Sequence, residues 1–315
     1  MEGNKLPGVC VHAVVVAFHP DPDELLSLLK VLAPQVQRTI VVDNTPVSES
    51  NVETTLAAID CENITLWRMN KNCGIAAGLN IGIRESVAAG ASHVLFSDQD
   101  SLPAEDMVAS LVQAYEQLVS DGAAVGAVGP TYTDRHTGIA FPFQAVVPGN
   151  FFYGQVLPDA HSQIVEALTL ITSGCLVPIA VLDGVGGMRE EFFIDQVDIE
   201  WCHRARAAGW RLYGSERATM SHQMGDDQVR VWFFGWRVQN RYPPVRLYYR
   251  FRNFVLLCRL PYVPLRWAIR AGGYWLFCLY AHAVFATNRM RNLRGIAWGL
   301  WDGIKGRSGP LPRSL

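Results

Sequence analysis

Residues 93–101 read His-Val-Leu-Phe-Ser-Asp-Gln-Asp-Ser, a short apolar run that stops on two carboxylates, Asp98 and Asp100. A strand that breaks into a turn there brings both acids to one spot. That spot lies at the carboxyl end of a strand, where open α/β sheets hold their ligands. Two hard oxygen donors in such a place suit Mg²⁺ or Mn²⁺; Mg²⁺ keeps several waters and takes substrate phosphates as further ligands. Taken alone, the pair reads better as a solvated turn, because Asp and Ser are common turn formers. Two further segments shift that balance. In residues 192–209, Phe193, Val197, Trp201 and Ala205 stand four apart, the spacing of an amphipathic helix that ends near Gly209. Asp195, Asp198 and Cys202 share its neighbouring stripe, and Glu200 points elsewhere. The helix dipole alone would favour acids in that first turn. His222 follows a β-like stretch and, taken singly, is a core or loop histidine more readily than a metal ligand.

The elements that must position these groups alternate along the chain. Residues 11–18 read as a buried strand and lead into Asp21-Pro22-Asp23-Glu24, where Asp21 can cap a helix and Pro22 suits its first position. Leu25, Leu28, Leu29 and Leu32 form a helical stripe that Pro34 stops. Strands follow at 39–42, 64–68, 94–96 and 124–128, with helices over 51–59, 75–89 and 104–120. This alternation is the pattern of a parallel sheet with crossover helices. Residues 131–165, rich in Gly, Pro and aromatics, read as loops and short strands that shape an active-site wall.

Charge divides the 315 residues unevenly. Residues 1–227 carry 12 basic and 28 acidic side chains, a net −16, whereas residues 228–315 carry 15 basic and one acidic, a net +14. The split predicts an α/β catalytic domain over 1–227 and a basic, aromatic, amphipathic helical tail over 228–315 with an anionic partner. Seven scattered cysteines without a Cys-x-x-Cys pair disfavour a disulfide framework or zinc cluster and fit a reducing compartment. Polar residues 1–8 ahead of a buried strand argue against an amino-terminal signal peptide.

Five ordered blocks over residues 9–225 together resemble the family-2 inverting glycosyltransferases of GT-A fold, most closely their bacterial rhamnosyltransferase branch. They are the opening strand at 11–19, Thr39-Ile40-Val41-Val42-Asp43-Asn44, the Asn-rich and Gly-rich run 70–83, Asp98-Gln99-Asp100-Ser101, and the acidic block 195–204 followed by Gly209-Trp210. The family often carries a Glu-Asp pair where this chain has Val197-Asp198, so only Asp198 can inherit the catalytic-base role. His222 lies 24 residues beyond Asp198, similar to the spacing of a metal-binding His in some relatives.

The resemblance implies a mostly parallel central sheet with flanking helices and a nucleotide diphosphate sugar as donor. Asp43 would accept a hydrogen bond from the pyrimidine base. Asn72, Gly74 and Asn80 would contact the nucleoside, the glycines letting backbone approach closely. Mg²⁺ or Mn²⁺ held by Asp98, Asp100 and His222 would neutralise the leaving diphosphate, with Asp98 also beside the donor. Asp198 would deprotonate the acceptor hydroxyl, and Ser173 and Gly174 would line the acceptor pocket. The Asp-Gln-Asp-Ser motif and the acidic block are similar to those of rhamnosyltransferases, which implies dTDP-L-rhamnose; residue chemistry alone also admits a UDP-hexose or UDP-galactofuranose. The implied acceptor is a polysaccharide or lipid-linked glycan, such as an O-antigen intermediate.

The basic segment holds six of the nine Trp residues, and Asp302 is its one acid. Residues 271–288 lack charge and just reach spanning length, but Gly272, Gly273, His282, Thr287 and Asn288 make a poor span. Trp and Tyr near Arg predict peripheral attachment to an anionic membrane surface, at the cytoplasmic face of the bacterial inner membrane. Trp267, Tyr274, Trp275 and Phe277 would face the lipid. Soluble helices packed on the catalytic domain are the alternative. Nucleic acid is not expected as a partner beside these enzyme motifs, and the oligomeric state stays open. A strand ending in Asp-x-Asp also opens the haloacid-dehalogenase phosphatases, but these need a downstream Lys. The four lysines here, Lys5, Lys30, Lys71 and Lys305, place none between motif and basic segment. A non-catalytic sugar-nucleotide-binding protein is opposed by Asp98, Asp100, Asp198 and His222 standing together.

Overall fold

The computed structural model describes residues 8–135, 138–147, 149–160, 163–222, 228–312 and 315. The first half runs β1 (Val11–Ala17), α1 (Pro22–Leu32), β2 (Arg38–Asp43), α2 (Val52–Leu56), β3 (Ile64–Arg68), α3 (Ile75–Ala88), β4 (His93–Asp98), β5 (Leu102–Pro103) and α4 (Met107–Ser120). Then come β6 (Val125–Asp134), β7 (Phe143–Ala145), β8 (Gly154–Val156), β9 (Ile164–Ala167), β10 (Leu176–Pro178), α5 (Ile179–Val185), α6 (Val197–Ala207) and β11 (Arg211–His222). The basic segment forms a hairpin, β12 (Gln228–Trp232) and β13 (Trp236–Asn240), and three helices, α7 (Pro244–Cys258), α8 (Leu265–Val284) and α9 (Arg289–Ile304).

Among the described residues nine strands form one mixed sheet in the order β3-β2-β1-β4-β10-β6-β11-β5, with β9 also paired to β11. Strands β1 to β4 are parallel, β10 inserts antiparallel between β4 and β6, and β11 continues parallel to β6. Every residue of β1 is buried, as a central strand covered on both faces requires. Alternation sorts its side chains. Val14 and Val16 join Ile40, Val42, Val94 and Phe96 in a core closed by α3 and α6. Val11, Ala13, Val15 and Ala17 join a second core closed by α1 and α4. Asp21 caps α1 by accepting from the N–H groups of Asp23 and Glu24 at 2.9 and 3.1 Å. Helix α3 lies unusually close to β1, since a Cβ on Gly82 would stand 2.1 Å from Val14.

Three sequence expectations are corrected. The helix expected from Phe193 begins only at Val197, because Phe193, Asp195 and Gln196 take φ of 63°, 64° and 62°. The basic segment is not helical throughout: β12 and β13 form a hairpin at its start, two strands of five residues that turn through Phe233, Phe234 and Gly235. The basic segment also packs inward. Leu257 of α7 and Trp267 of α8 belong to the main core, and Trp267 and Trp275 are 5% and 8% exposed rather than free to meet lipid. Helix α9 rests directly on α7 through Gly295, Gly299 and Gly303; a Cβ on Gly299 would sit 2.4 Å from the Tyr248 carbonyl. Among the described residues, no helix is long and apolar enough to cross a membrane.

Candidate active site

Sheet register places the first acids. Val16 lies opposite Asp98 and Ala17 opposite Asp43, so the two acidic residues flank the end of β1 on its two neighbouring strands. Asp43 is buried and holds the turn after β2, accepting from Thr45 N–H at 2.9 Å and from the Ser50 hydroxyl. A carboxylate has about four acceptor sites, so capacity for a further donor remains. Gln99 ties the acidic turn to β1: its Oε1 accepts from Phe18 N–H at 2.7 Å and its Nε2 donates back to Phe18 O at 3.3 Å. Asp98 and Asp100, partly exposed, stand on either side of that clamp.

Ser173 and Gly174 sit beneath this turn rather than on an open wall. Ser173 is fully buried; its hydroxyl accepts from Asp98 N–H at 3.1 Å and donates to Ser101 Oγ at 2.7 Å. Gly174, at φ 75°, donates to Phe96 O at 2.8 Å, and a Cβ there would meet Pro130 at 2.4 Å. In this structure both residues brace the acidic turn.

The Asn-rich block is likewise turned inward. Asn72 Oδ1 accepts from Gly74 N–H at 3.0 Å and from Asn44 Nδ2 at 3.2 Å. Gly74 starts α3 at φ 87°, where a Cβ would stand 2.5 Å from Phe193 O. Asn80 donates to Met188 O at 2.8 Å and Glu190 Oε1 at 2.9 Å, and accepts from Met188 N–H at 2.7 Å. Gly74 and Asn80, expected beside the nucleoside, form a seam joining α3 to residues 187–193. Both groups of the Asn80 amide are engaged in that seam.

Residues 193–196 carry three non-glycine left-handed backbones before α6, each costing of order 1–3 kcal/mol. Helix α7 supplies what holds them. Asn253 Nδ2 donates to the carbonyls of Phe192, Ile194 and Asp195 at 2.8, 2.7 and 2.9 Å. Gln196 Nε2 donates to Arg250 O at 2.8 Å. Asp195 is buried, gripped by Arg246 through two bonds of 2.8 and 2.7 Å and by Arg250 at 3.4 Å. Glu200 is also buried; Arg204 forks onto it at 2.9 and 3.0 Å and the Tyr262 hydroxyl donates to it.

Two of the three acids in this block are therefore neutralised by arginine. Asp198 is the third. Its Oδ1 accepts from Ile199 N–H at 2.8 Å, yet its carboxyl titrates at about 6. Burial is the main cause, and the negative charges of Asp98 and Asp195 add to it against the backbone N–H groups of Ile199 and Asp198. Tyr132 on β6 is pushed up to about 12, first by burial and then by Asp198. The β4 end, the β6 strand and the first turn of α6 thus meet around Asp198. A carboxylate with a pKa near neutrality is suited to taking a proton.

The donor set fits a hard divalent cation. Asp98 and Asp100 offer carboxylate oxygen at one strand end, and Mg²⁺ is commonly bound by one or two carboxylates with substrate phosphates. Among the described residues no group of three His, Cys, Asp or Glu gathers around a single point. His222 ends β11 with its backbone opposite Asp134, and its side chain lies outside the described residues.

This arrangement has relatives. Residues 13–162 match the family model described as Glycosyl transferase family 2. Over 301 residues, 95% of this chain and 97% of the relative, the sequence is 30% identical to the dTDP-rhamnosyl transferase RfbF of Shigella flexneri. The chain belongs to glycosyl transferase family 2. It is a glycosyltransferase of the rhamnosyltransferase branch. It is also 26% identical to galactofuranosyltransferase GlfT1 of Mycobacterium tuberculosis, over 77% of this chain and 80% of that protein. Two solved structures share the fold. GalNAc-T7 with UDP, GalNAc and Mn²⁺ superposes at a TM-score of 0.58 and 10% identity, covering 97% of this chain and 59% of that one. S. aureus TarS 1-349 with UDP-GlcNAc superposes at 0.54 and 14% identity, covering 95% of this chain and 82% of that one. The family-2 transferase thus has the GT-A fold its motifs implied.

Sequence reasoning missed the groups that hold the loop before α6 of this transferase. Arg246, Arg250 and Asn253 recur at i, i+4 and i+7, one face of α7. That spacing was legible, but a run of arginines reads first as a face for an external anion.

Proposed function

We propose that this transferase moves L-rhamnose from dTDP-L-rhamnose to a hydroxyl of a polysaccharide or lipid-linked glycan, inverting the anomeric centre in one displacement. The similarity to a dTDP-rhamnosyl transferase along nearly the whole chain supports the donor. Asp198 supports the mechanism, as the one carboxylate of its block without an arginine partner among the described residues and with a pKa of about 6. Its carboxylate takes the acceptor proton while the acceptor oxygen attacks the anomeric carbon from the face opposite the diphosphate. One glycosidic bond forms, the bond to the diphosphate breaks, and no covalent enzyme intermediate is needed.

Asp43 accepts the pyrimidine N–H at the far side of β1. Asn72 and Asn44 shape the turn beside it. Asp98 and Asp100 would hold Mg²⁺ or Mn²⁺, with His222 as a further ligand; when bound, such an ion supplies countercharge to the leaving diphosphate. Residues 1–227 carry the chemistry. Residues 228–315 hold the loop before α6 and attach the enzyme peripherally to the cytoplasmic face of the inner membrane. The similarity to GlfT1 favours a second reading, transfer of galactofuranose from its UDP donor.

Slow donor hydrolysis without acceptor separates the two readings. Purified enzyme with Mg²⁺ should release dTDP from dTDP-L-rhamnose faster than UDP from UDP-galactofuranose or UDP-hexoses. The reverse order would transfer the assignment to the second reading.

A further inference from the structure

The hairpin of β12 and β13 has two unlike faces. Val229, Val231 and Gln239 are buried, the valines packing on Ala281 of α8. The other face pairs Trp232 with Trp236 across the strands, 52% and 64% exposed. The turn between them carries Phe233 and Phe234, and Phe234 is 86% exposed at φ 48°. Large aromatics usually find cover in a folded protein. Here two tryptophans of the same segment, Trp267 and Trp275, are buried, so this fold does provide cover. The tip is also braced. Tyr280 of α8 donates its hydroxyl to Trp232 O at 3.0 Å, and Phe233 stands edge-on to Phe277 with ring centroids 5.5 Å apart. Arg230 lies 5.2 Å from the Trp236 ring, Arg237 donates to Phe233 O at 3.3 Å, and both arginines are exposed.

We propose that this tip is a membrane-docking element. Trp232, Phe233, Phe234 and Trp236 enter the boundary between headgroups and acyl chains of an anionic bilayer, while Arg230 and Arg237 stay with the lipid phosphates. Trp suits that boundary, having an apolar body and an N–H for the wet side. Asp302 is the one acid from residue 228 to 315 and it is fully buried, so no exposed acid of the segment opposes an anionic surface. A convex tip of five residues offers far less than the ~800 Å² per partner of a standard protein interface, whereas a bilayer demands no matching shape. The proposal deepens the reading of a membrane-borne acceptor and rests on it only for its purpose.

The test uses the full chain without donor or acceptor. Sedimentation with mixed phosphatidylethanolamine–phosphatidylglycerol vesicles is compared with pure phosphatidylcholine, at low and high salt. Wild type should sediment with the anionic vesicles, less so in high salt. Phe234→Ser combined with Trp236→Ser should lower partitioning by roughly tenfold or more, with the melting curve and donor hydrolysis unchanged. Arg230→Gln with Arg237→Gln should weaken binding to anionic vesicles and flatten its salt dependence. Undiminished partitioning of the serine variant would overturn the proposal. So would wild type that ignores vesicles but self-associates through the tip, with the serine variant monomeric. Because binding is read without turnover, a wrong donor assignment leaves this result standing, and a failed vesicle assay leaves the chemistry untouched.

Discussion

Replacing Asp198 with Asn should abolish most activity and yet stabilise the fold. The Asp198 carboxyl titrates at about 6 against an ordinary 3.8, because burial and the charges of Asp98 and Asp195 outweigh the Ile199 and Asp198 N–H groups. A carboxyl easier to protonate folded than unfolded works opposite to a salt-bridged one. The native state binds more protons between about pH 4 and 6, so stability falls as pH rises through that window. Above it, the ionised group costs up to about 3 kcal/mol, at ~1.4 kcal/mol per pH unit. Partial access of Asp198 to solvent brings this to ~1–3 kcal/mol. Asn keeps an acceptor for Ile199 N–H and carries no charge. Urea unfolding with chelator present should therefore find the variant ~1–3 kcal/mol more stable at neutral pH, with an unchanged slope. The gap should close toward pH 4, while kcat falls by roughly 10²–10⁴. A variant no more stable than wild type at neutral pH, or a gap that ignores pH, would refute the electrostatic account of this carboxyl. Near-normal kcat would remove Asp198 as base.

Other perturbations probe the surroundings. Asp100→Ala should abolish transfer without moving the melting curve, and excess EDTA should do the same until Mg²⁺ or Mn²⁺ is restored; full turnover in chelator would end the metal-assisted scheme. Arg246→Ala strips the bidentate partner from buried Asp195 and should cost ~2–4 kcal/mol in chemical denaturation, with a lower kcat as residues 193–196 lose their hold. Wild-type values on both counts would show that the arginine clamp is idle. Asn80→Ala should cost ~1–3 kcal/mol, because it leaves the Met188 backbone unpaired, with donor KM little changed. A large rise in donor KM at unaltered stability would restore the nucleoside role to Asn80.

Local pattern carried most of the sheet and both strand-end acids. Strand alternation, the Asp21 cap and the apolar run ending on Asp98 are short-range features that tertiary packing leaves intact. What pattern could not convey was direction. Asp195 and Asp198 share a stripe on an ideal helix, but left-handed backbones at 193, 195 and 196 put Asp195 outside the helix and against Arg246. Gly74 and Asn80 carry a family motif, yet their partners lie more than a hundred residues away at Phe193 and Met188. The basic segment misled most. Arg246, Arg250 and Arg252 turn toward the loop before α6 and its neighbours, so truncation near residue 230 would strip that loop of its support rather than release an intact domain.

The most direct test of the central claim is transfer itself. Full-length enzyme, Mg²⁺ and dTDP-β-L-rhamnose are incubated with a membrane glycolipid extract, and the product is read by mass spectrometry and anomeric NMR. The account predicts an acceptor enlarged by one deoxyhexose in α linkage, absent with Asp198→Asn. A product that gains a hexose from a UDP sugar instead, or one that retains the β configuration, would contradict it.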